Sequence, residues 1–475
     1  MLPIEFKKRM ESLLGEESGA FFDEIENGKA VRSFRVNTIK SSSDELKKRN
    51  VSIDRRKAEF PEECYFTDEQ FPGYLSCHHS GMIYMQDPSA MATTHAVKVE
   101  KGAKILDSCS APGGKTTQLA ALVGEHGIVV ANEYDTKRCR ILQSNVERLG
   151  AKNCVVLNLD TAVLAQSYSE VFDVVLCDAP CSGEGMFRKN SAAIDEWSLE
   201  NVKMCAERQR EILTNVSKCV AVGGKLIYST CTFSLEENEM NVQWFLDSFD
   251  NFELCEVESE LKDATSDGIC FDGCGYDMTK TRRFYPHISK GEGQFIAVFQ
   301  KNSSSEDVKA SAKKRDKNKK RAPEKPSKAD IDTVAVALSF LDENIVGGYD
   351  GIDAQLILYN GNVYLKPHIE LPKYGVFAPG VCVGEVIGKR LVPHHQLFSA
   401  YGNSFRRRIM LSSDMSEVAD YLHGMEITAD TNLVYDGKSD GWAAVIVDGC
   451  ALGGGKISSG ICKNHYPKGL RNQKN

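Results

Sequence analysis

Residues 104–117 read KILDSCSAPGGKTT. A short apolar run ends on an acid, and a proline and two glycines follow it. A lysine and two threonines then open a helical stretch. Strand, glycine turn and helix in this order form the first unit of a doubly wound α/β sheet, whose ligands sit at the carboxyl ends of the strands. Glycines let the backbone approach a ligand, and the helix N-terminus offers free amides.

The same rhythm continues on both sides of this unit. Strands are predicted at Lys104–Asp107, Ile128–Asn132, Cys154–Leu157, Phe172–Cys177 and Lys225–Ser229, with a closing strand at Gln294–Phe299. Before them, Met1–Leu14 and Ser43–Lys48 read as helices and Ser33–Ile39 as a strand, a small α/β module. After them, residues 301–328 carry eleven basic and four acidic residues with no large apolar side chain beyond Val308, the composition of a solvated linker. Further strands are expected at Gln355–Leu358, Val363–Leu365, Gly384–Ile387 and Ala443–Val447, and a helix at Ser416–His423. The expected division is 1–75, 76–300, 301–328, 329–400 and 401–475.

The turn admits two readings. A phosphate-binding loop needs a glycine where Cys109 stands, although Gly114-Lys115-Thr116 fits its end and VVLCD ending at Asp178 imitates a magnesium-binding strand. The alternative rests on acids at successive strand ends, Glu133, Asp160 and Asp178. An acid after the second strand can take both hydroxyls of a ribose. Without a pyrophosphate fingerprint, the ligand expected is a nucleoside lacking phosphates, and S-adenosylmethionine is the natural candidate.

Sixteen cysteines are more than usual for 475 residues. The N-terminal stretch alternates charge with apolar residues, and no apolar run is long enough to span a bilayer. A cytoplasmic, reduced protein is therefore expected, with cysteines serving packing or chemistry rather than disulfides. Cys270-x-x-x-Cys274 has no second pair with convincing ligand spacing, so no metal is expected. Two other cysteines lie just past strand ends on the ligand edge, in Asp178-Ala-Pro-Cys181-Ser-Gly and Ser229-Thr-Cys231-Thr. Methyl transfer to carbon 5 of a pyrimidine accounts for such a pair. A thiolate adding at carbon 6 makes carbon 5 nucleophilic, and a second acid–base group helps remove the carbon-5 proton and expel the thiol. Residue chemistry alone leaves open which cysteine attacks.

CSAPGGK (109–115), DAPCSGEGMFRK (178–189) and YSTCTFSLEENE (228–239) resemble the Nol/Nop/Sun family of RNA cytosine-5 methyltransferases. RVNT (35–38) and YMQDPSAM (84–91) resemble the stretches preceding its catalytic domain. GKRLVPHH (388–395) and NHYPKGLR (464–471) are similar to the bacterial RsmF-type branch, which ends in a PUA-like RNA-binding module. The resemblance implies a Rossmann-like S-adenosylmethionine-dependent domain, an N-terminal RNA-binding module and a monomer acting on small-subunit ribosomal RNA. Transfer RNA is the first alternative, and a non-catalytic RNA-binding assembly factor an alternative of another class. It also implies roles. Cys231 would be the nucleophile and Cys181 would help release the product. Asp178 would sit beside the cofactor and hydrogen-bond the base. Cys109, Ser110, Ala111, Pro112, Gly113, Gly114, Lys115, Glu133, Arg138 and Asp160 would hold the cofactor. Ser234-Leu-Glu-Glu237 fits a capping box, which predicts a helix starting just after the nucleophile.

The chain's formal charge is −8, and the 301–328 segment carries +7, leaving −15 on the remainder. RNA contacts must therefore come from segregated patches. The candidates are Arg35, Arg188, Lys189, Arg406, Arg407, Arg408, Lys463, Lys468 and Arg471.

Overall fold

The computed structural model describes residues 1–48, 55–58, 60–304 and 327–472. Most of the basic linker, residues 305–326, lies outside them. Its ends belong to regular structure, since Lys301 closes a strand and Lys328 opens the Lys328–Asn344 helix behind a Ser327–Asp330 capping box.

The central sheet contains β1 (Lys104–Asp107), β2 (Ile128–Asn132), β3 (Cys154–Leu157), β4 (Phe172–Asp178), β5 (Val220–Thr230) and β6 (Gln294–Lys301). Its parallel middle runs 3-2-1-4-5, so the chain reverses its winding between β1 and β4. Both faces are covered, which explains the unbroken apolar runs in β1 to β4. The edges are antiparallel. β6 pairs with β5, then with Arg282–Phe284 and Phe252–Cys255, and Val376–Ala378 from far down the chain adds to β3.

Helices on the two faces follow their local signals. Thr136–Leu149 is capped by Asp135, which accepts from the Arg138 amide at 2.8 Å, and ends at Gly150 with φ +70°. Its buried residues Cys139, Leu142, Val146 and Leu149 fall three and four apart, the spacing of one helical face.

The N-terminal module opens with two helices, Ile4–Leu14 and Ser18–Asn27, the second unpredicted, and Ser43–Lys48 is helical as expected. A four-stranded antiparallel sheet follows, in the order Arg56–Lys57, Cys64–Phe66, Ser33–Val36, Ile83–Met85. Phe6 and Phe21 of the two helices pack with Phe187, Trp197, Phe233 and Tyr285, which lie beside the two cysteine loops. The C-terminal part holds a four-stranded sheet led by Gln355–Tyr359 and a six-stranded sheet that includes Arg407–Leu411 and Gly441–Val447. Lys40 ties the three regions together. Its buried ammonium donates to Ser80 O (2.8 Å), Arg148 O (3.0 Å), Ser399 Oγ (2.9 Å) and Ala451 O (3.1 Å), and burial pulls its pKa down to about 7.

Candidate active site

The carboxyl ends of β1, β2, β4 and β5 open into a cleft of about 660 Å³. Its floor is the turn after β1. Ser110 donates its amide to Asn132 O (2.9 Å) and its hydroxyl to Asp107 O (2.7 Å), which curls the turn back over the strand ends. Gly113 adopts φ +109° and starts the Gly114–Leu122 helix. At Gly114 an added Cβ would lie 2.9 Å from a Tyr84 ring carbon, so only glycine fits without movement.

Two carboxylates in this region keep unsatisfied oxygens. Glu133 is buried, and its Oε1 accepts the Asp135 amide at 2.9 Å. Its Oε2 makes no hydrogen bond, although Arg138 Nη1 lies at ion-pair distance, 3.4 Å. Asp107 accepts from Thr116 Oγ1 at 2.6 Å, while its other oxygen is buried without a hydrogen bond. Burial pushes the Asp107 carboxyl up to about 7. Buried oxygens without partners cost free energy, and a ligand's hydroxyls or amine would satisfy them.

On the opposite wall, Cys181 Sγ and Cys231 Sγ lie 3.2 Å apart, and both thiols are free. The hydrogen bond to Cys231, then burial, hold the Cys181 thiol well above the ordinary range, so Cys181 keeps its proton. Asp178 ends β4 between the thiols and the turn. It accepts from Lys115 Nζ at 2.7 Å through one oxygen, and from Ser229 Oγ (2.7 Å) and Gln294 Nε2 (3.1 Å) through the other. Burial works against the Lys115 charge, but Asp178, with help from Cys231 and Asp107, raises its pKa overall.

The two cysteine loops are laced together from behind. Gly185 N donates to Cys231 O (2.8 Å), and Ser182 Oγ meets Thr232 Oγ1 (2.9 Å). Buried Glu237 accepts from the Ser182 amide (3.0 Å), the Ser182 hydroxyl and Gln209 Nε2 (2.8 Å). Glu184 accepts from Trp197 Nε1 and the Phe233 amide, each at 2.9 Å. This corrects the capping-box reading. Glu237 belongs to the loop lacing, Ser234 Oγ turns to Glu236, and the helix begins at Glu239 without a side-chain cap.

Cys109, Ala111, Glu133, Arg138, Asp160, Asp178, Cys181 and Cys231 all line the main cleft. Ser110, Pro112, Gly114 and Lys115 line an adjoining cavity of about 210 Å³ that also reaches Asp178. Gly113 shapes the turn from outside both. Asp160 is exposed and caps Thr161–Ser167 through the Ala162 amide. Arg138 donates to Ala111 O at 2.9 Å.

Sequence reasoning missed Asn132, which bonds Ser108 O and Leu159 O, as well as Gln294, Arg208 on the cleft wall, and the lacing role of Glu237, which it read as a helix cap. The polar residue ending the apolar β2 run was the available signal for Asn132. The other three lie on elements whose pairing with the site only the fold reveals.

Several basic candidates are also corrected. Arg35 is buried beneath the turn, donating to Gly114 O (3.3 Å) and Thr117 Oγ1 (2.9 Å). Arg188 is buried between Glu24 and Glu292, and Lys189 bridges Asp87 (3.1 Å) and Glu292 (3.2 Å). Buried Arg407 donates to Trp442 O (2.9 Å) and Asn344, Arg406 pairs with Asp436 (2.8 Å), and Arg408 bonds Asn403 O (2.9 Å). Arg471 turns to Tyr466 O at 3.1 Å, whereas Lys463 and Lys468 are exposed.

Among the described residues no group of three or more His, Cys, Asp or Glu is placed to hold a metal, and no helix is long and apolar enough to cross a membrane.

Residues 94–300 match the 16S rRNA methyltransferase RsmB/F family, residues 2–88 the N-terminal domain of 16S rRNA methyltransferase RsmF, and residues 410–472 the RsmF PUA domain. Ribosomal RNA small subunit methyltransferase F of Shewanella oneidensis is 30% identical over 456 residues, 92% of this chain and 90% of that one. The chain belongs to the ribosomal RNA small subunit methyltransferase F family. The relative of that name from Serratia proteamaculans is 34% identical, over 58% of this chain and 57% of its own length. A methyltransferase homologue from Pyrococcus horikoshii, solved by crystallography, is 29% identical with a TM-score of 0.54, over 62% of this chain and 94% of that one. The family's fold is that of S-adenosylmethionine-dependent methyltransferases, and the turn, Glu133 and Asp107 with its unsatisfied oxygen fit that cofactor.

Proposed function

We propose that this chain methylates carbon 5 of a cytidine in 16S ribosomal RNA, in the cytoplasm, through a covalent adduct with Cys231. The observation that carries the reading is the pair of free thiols 3.2 Å apart in the cleft that also holds Glu133 and Asp178. Methylation of an exocyclic amine needs no thiol, whereas carbon 5 needs one to become nucleophilic.

Glu133 would take the ribose hydroxyls through its open oxygen, with Asp160, Arg138 and the 109–115 turn around the rest of the cofactor. S-adenosylmethionine, when bound, supplies the methyl group as an electrophilic sulfonium. Asp178, held by Lys115 and Ser229, orients the flipped base by hydrogen bonding. Cys231 gives up its proton to solvent, and its thiolate sulfur bonds to carbon 6 as the 5,6 double-bond pair shifts to carbon 5, the carbon that takes the methyl group. A base then removes the carbon-5 proton, the double bond re-forms and the sulfur–carbon bond breaks. Cys181, beside Cys231, assists this last stage and supplies a proton to the departing thiolate.

The test uses RNA carrying 5-fluorocytidine, whose fluorine cannot leave as a proton. The parent chain should form an adduct that survives denaturing electrophoresis. Cys231→Ala should form none and transfer no methyl group, while Cys181→Ala should accumulate adduct on ordinary RNA. The opposite pattern would exchange the two roles, and no adduct with any variant would defeat the covalent mechanism.

A further inference from the structure

Outside the catalytic cleft, a groove of about 920 Å³ lies between the N-terminal sheet and the 263–290 region. Five cations line it, Lys29, Arg32, Arg56, Lys57 and Lys290, against two carboxylates, Asp68 and Asp263. All five are exposed. Arg56 pairs with Asp68 at 2.9 Å, but both side chains are more than half exposed, so solvent weakens that pair. Among the described residues, Lys29, Lys57 and Lys290 form no ion pair. In a chain of net charge −8, such a concentration is a local positive field.

The groove also offers aromatic surface. Phe60 and Phe66 line it half-buried, and Lys290 Nζ stands 5.3 Å from the Phe66 ring centre. Cations interleaved with accessible rings match the phosphates and bases of a single strand. Position gives the groove its meaning. Pro88 lines it, and the preceding Asp87 lines the small cavity that ends at Lys115 and Asp178. Gly291 packs against Asp87 and Ser89, and Lys189 bonds Asp87 at 3.1 Å, so this wall is fixed.

We infer that this groove is a docking track for the single-stranded RNA flanking the target nucleotide, leading over Pro88 into the catalytic cleft. The inference rests on the RNA-methyltransferase reading above, and it assigns RNA recognition to five cations that lie in none of the quoted motifs.

The experiment measures binding of a short, unstructured, cytidine-containing RNA across a salt series, with S-adenosylhomocysteine affinity as the control for an intact cofactor site. In Arg32→Gln/Lys57→Gln/Lys290→Gln, RNA affinity should fall about tenfold or more at low salt. The slope of log affinity against log salt should shrink by about 2, since each single-strand phosphate contact contributes about 0.7. S-adenosylhomocysteine affinity should match the parent. A triple variant that binds RNA with the parent's affinity and slope overturns the track and leaves the methyltransferase reading standing. A parent chain that neither binds RNA nor forms the fluorocytidine adduct overturns both.

Discussion

Glu237 offers a quantitative test of how the two cysteine loops are held. Its carboxyl is fully buried and meets three donors, none of them a cation. Burial raises its pKa from 4.5 to about 7, only partly offset by the Ser182 hydrogen bond. Below pH 4.5 the group is protonated whether the chain is folded or not. As pH rises, the unfolded chain ionises first, and stability drains away until the folded carboxyl also ionises near pH 7. A shift of about 2.5 units corresponds to about 3 kcal/mol lost across that window.

The geometry also indicates which substitution isolates this effect. Oε2 accepts from both the Ser182 amide and Gln209, whereas Oε1 faces only the Ser182 hydroxyl. A glutamine can place its carbonyl at Oε2 and donate its amide to the Ser182 hydroxyl, which passes its own hydrogen to Thr232 Oγ1 at 2.9 Å. Glu237→Gln should therefore keep the loops laced and lack the titration. Urea unfolding followed through tryptophan fluorescence suits the measurement, because Trp197 bonds Glu184 beside the same network. Between pH 5 and pH 8 the variant should gain about 2–3 kcal/mol relative to the parent. Equal pH dependence in the two proteins would refute the reasoning.

Three further perturbations probe other supports. Lys115→Met removes the cation 2.7 Å from Asp178, and kcat/KM for methyl transfer should fall at least about 100-fold, which steady-state kinetics will read. Arg283→Met strands the buried Glu239 carboxylate and should cost about 3–5 kcal/mol in denaturant titration, with Arg283→Met/Glu239→Leu recovering most of the loss. Gly114→Ala forces a Cβ to within 2.9 Å of the Tyr84 ring, so stability should drop by about 1–3 kcal/mol, and calorimetry should show weaker S-adenosylhomocysteine binding.

The parallel core was legible because β1 to β4 are short, mainly apolar runs ended by an acid or an asparagine. Lys104–Asp107, Ile128–Asn132 and Cys154–Leu157 form with the bounds their sequence implies. The cysteines were legible for the same reason, since a strand's end fixes the edge on which its next residues lie. What stayed hidden depends on long-range pairing. Nothing local marks Val376–Ala378 as an edge for β3, or Glu237 as an acceptor for Ser182 rather than a helix cap. The capping box failed because the buried amide and hydroxyl of Ser182, on the neighbouring cysteine loop, take the Glu237 carboxyl away from the helix end, which is itself buried.

The arginines explain how an acidic chain can still hold RNA. Arg35, Arg188, Arg283 and Arg407 are spent inside, bracing the turn after β1, the Cys181 loop, the helix after Cys231 and the C-terminal sheet. Their planar forks satisfy several buried oxygens at once, a task lysine performs poorly. The cations left at the surface are then mostly lysines; among them Lys29, Lys57 and Lys290 share one groove, and Lys463 and Lys468 lie in the tail. A few phosphate contacts follow from that distribution, so RNA affinity should depend on salt only modestly. Under the proposed mechanism, specificity comes from the flipped base meeting Asp178 and the paired thiols rather than from charge.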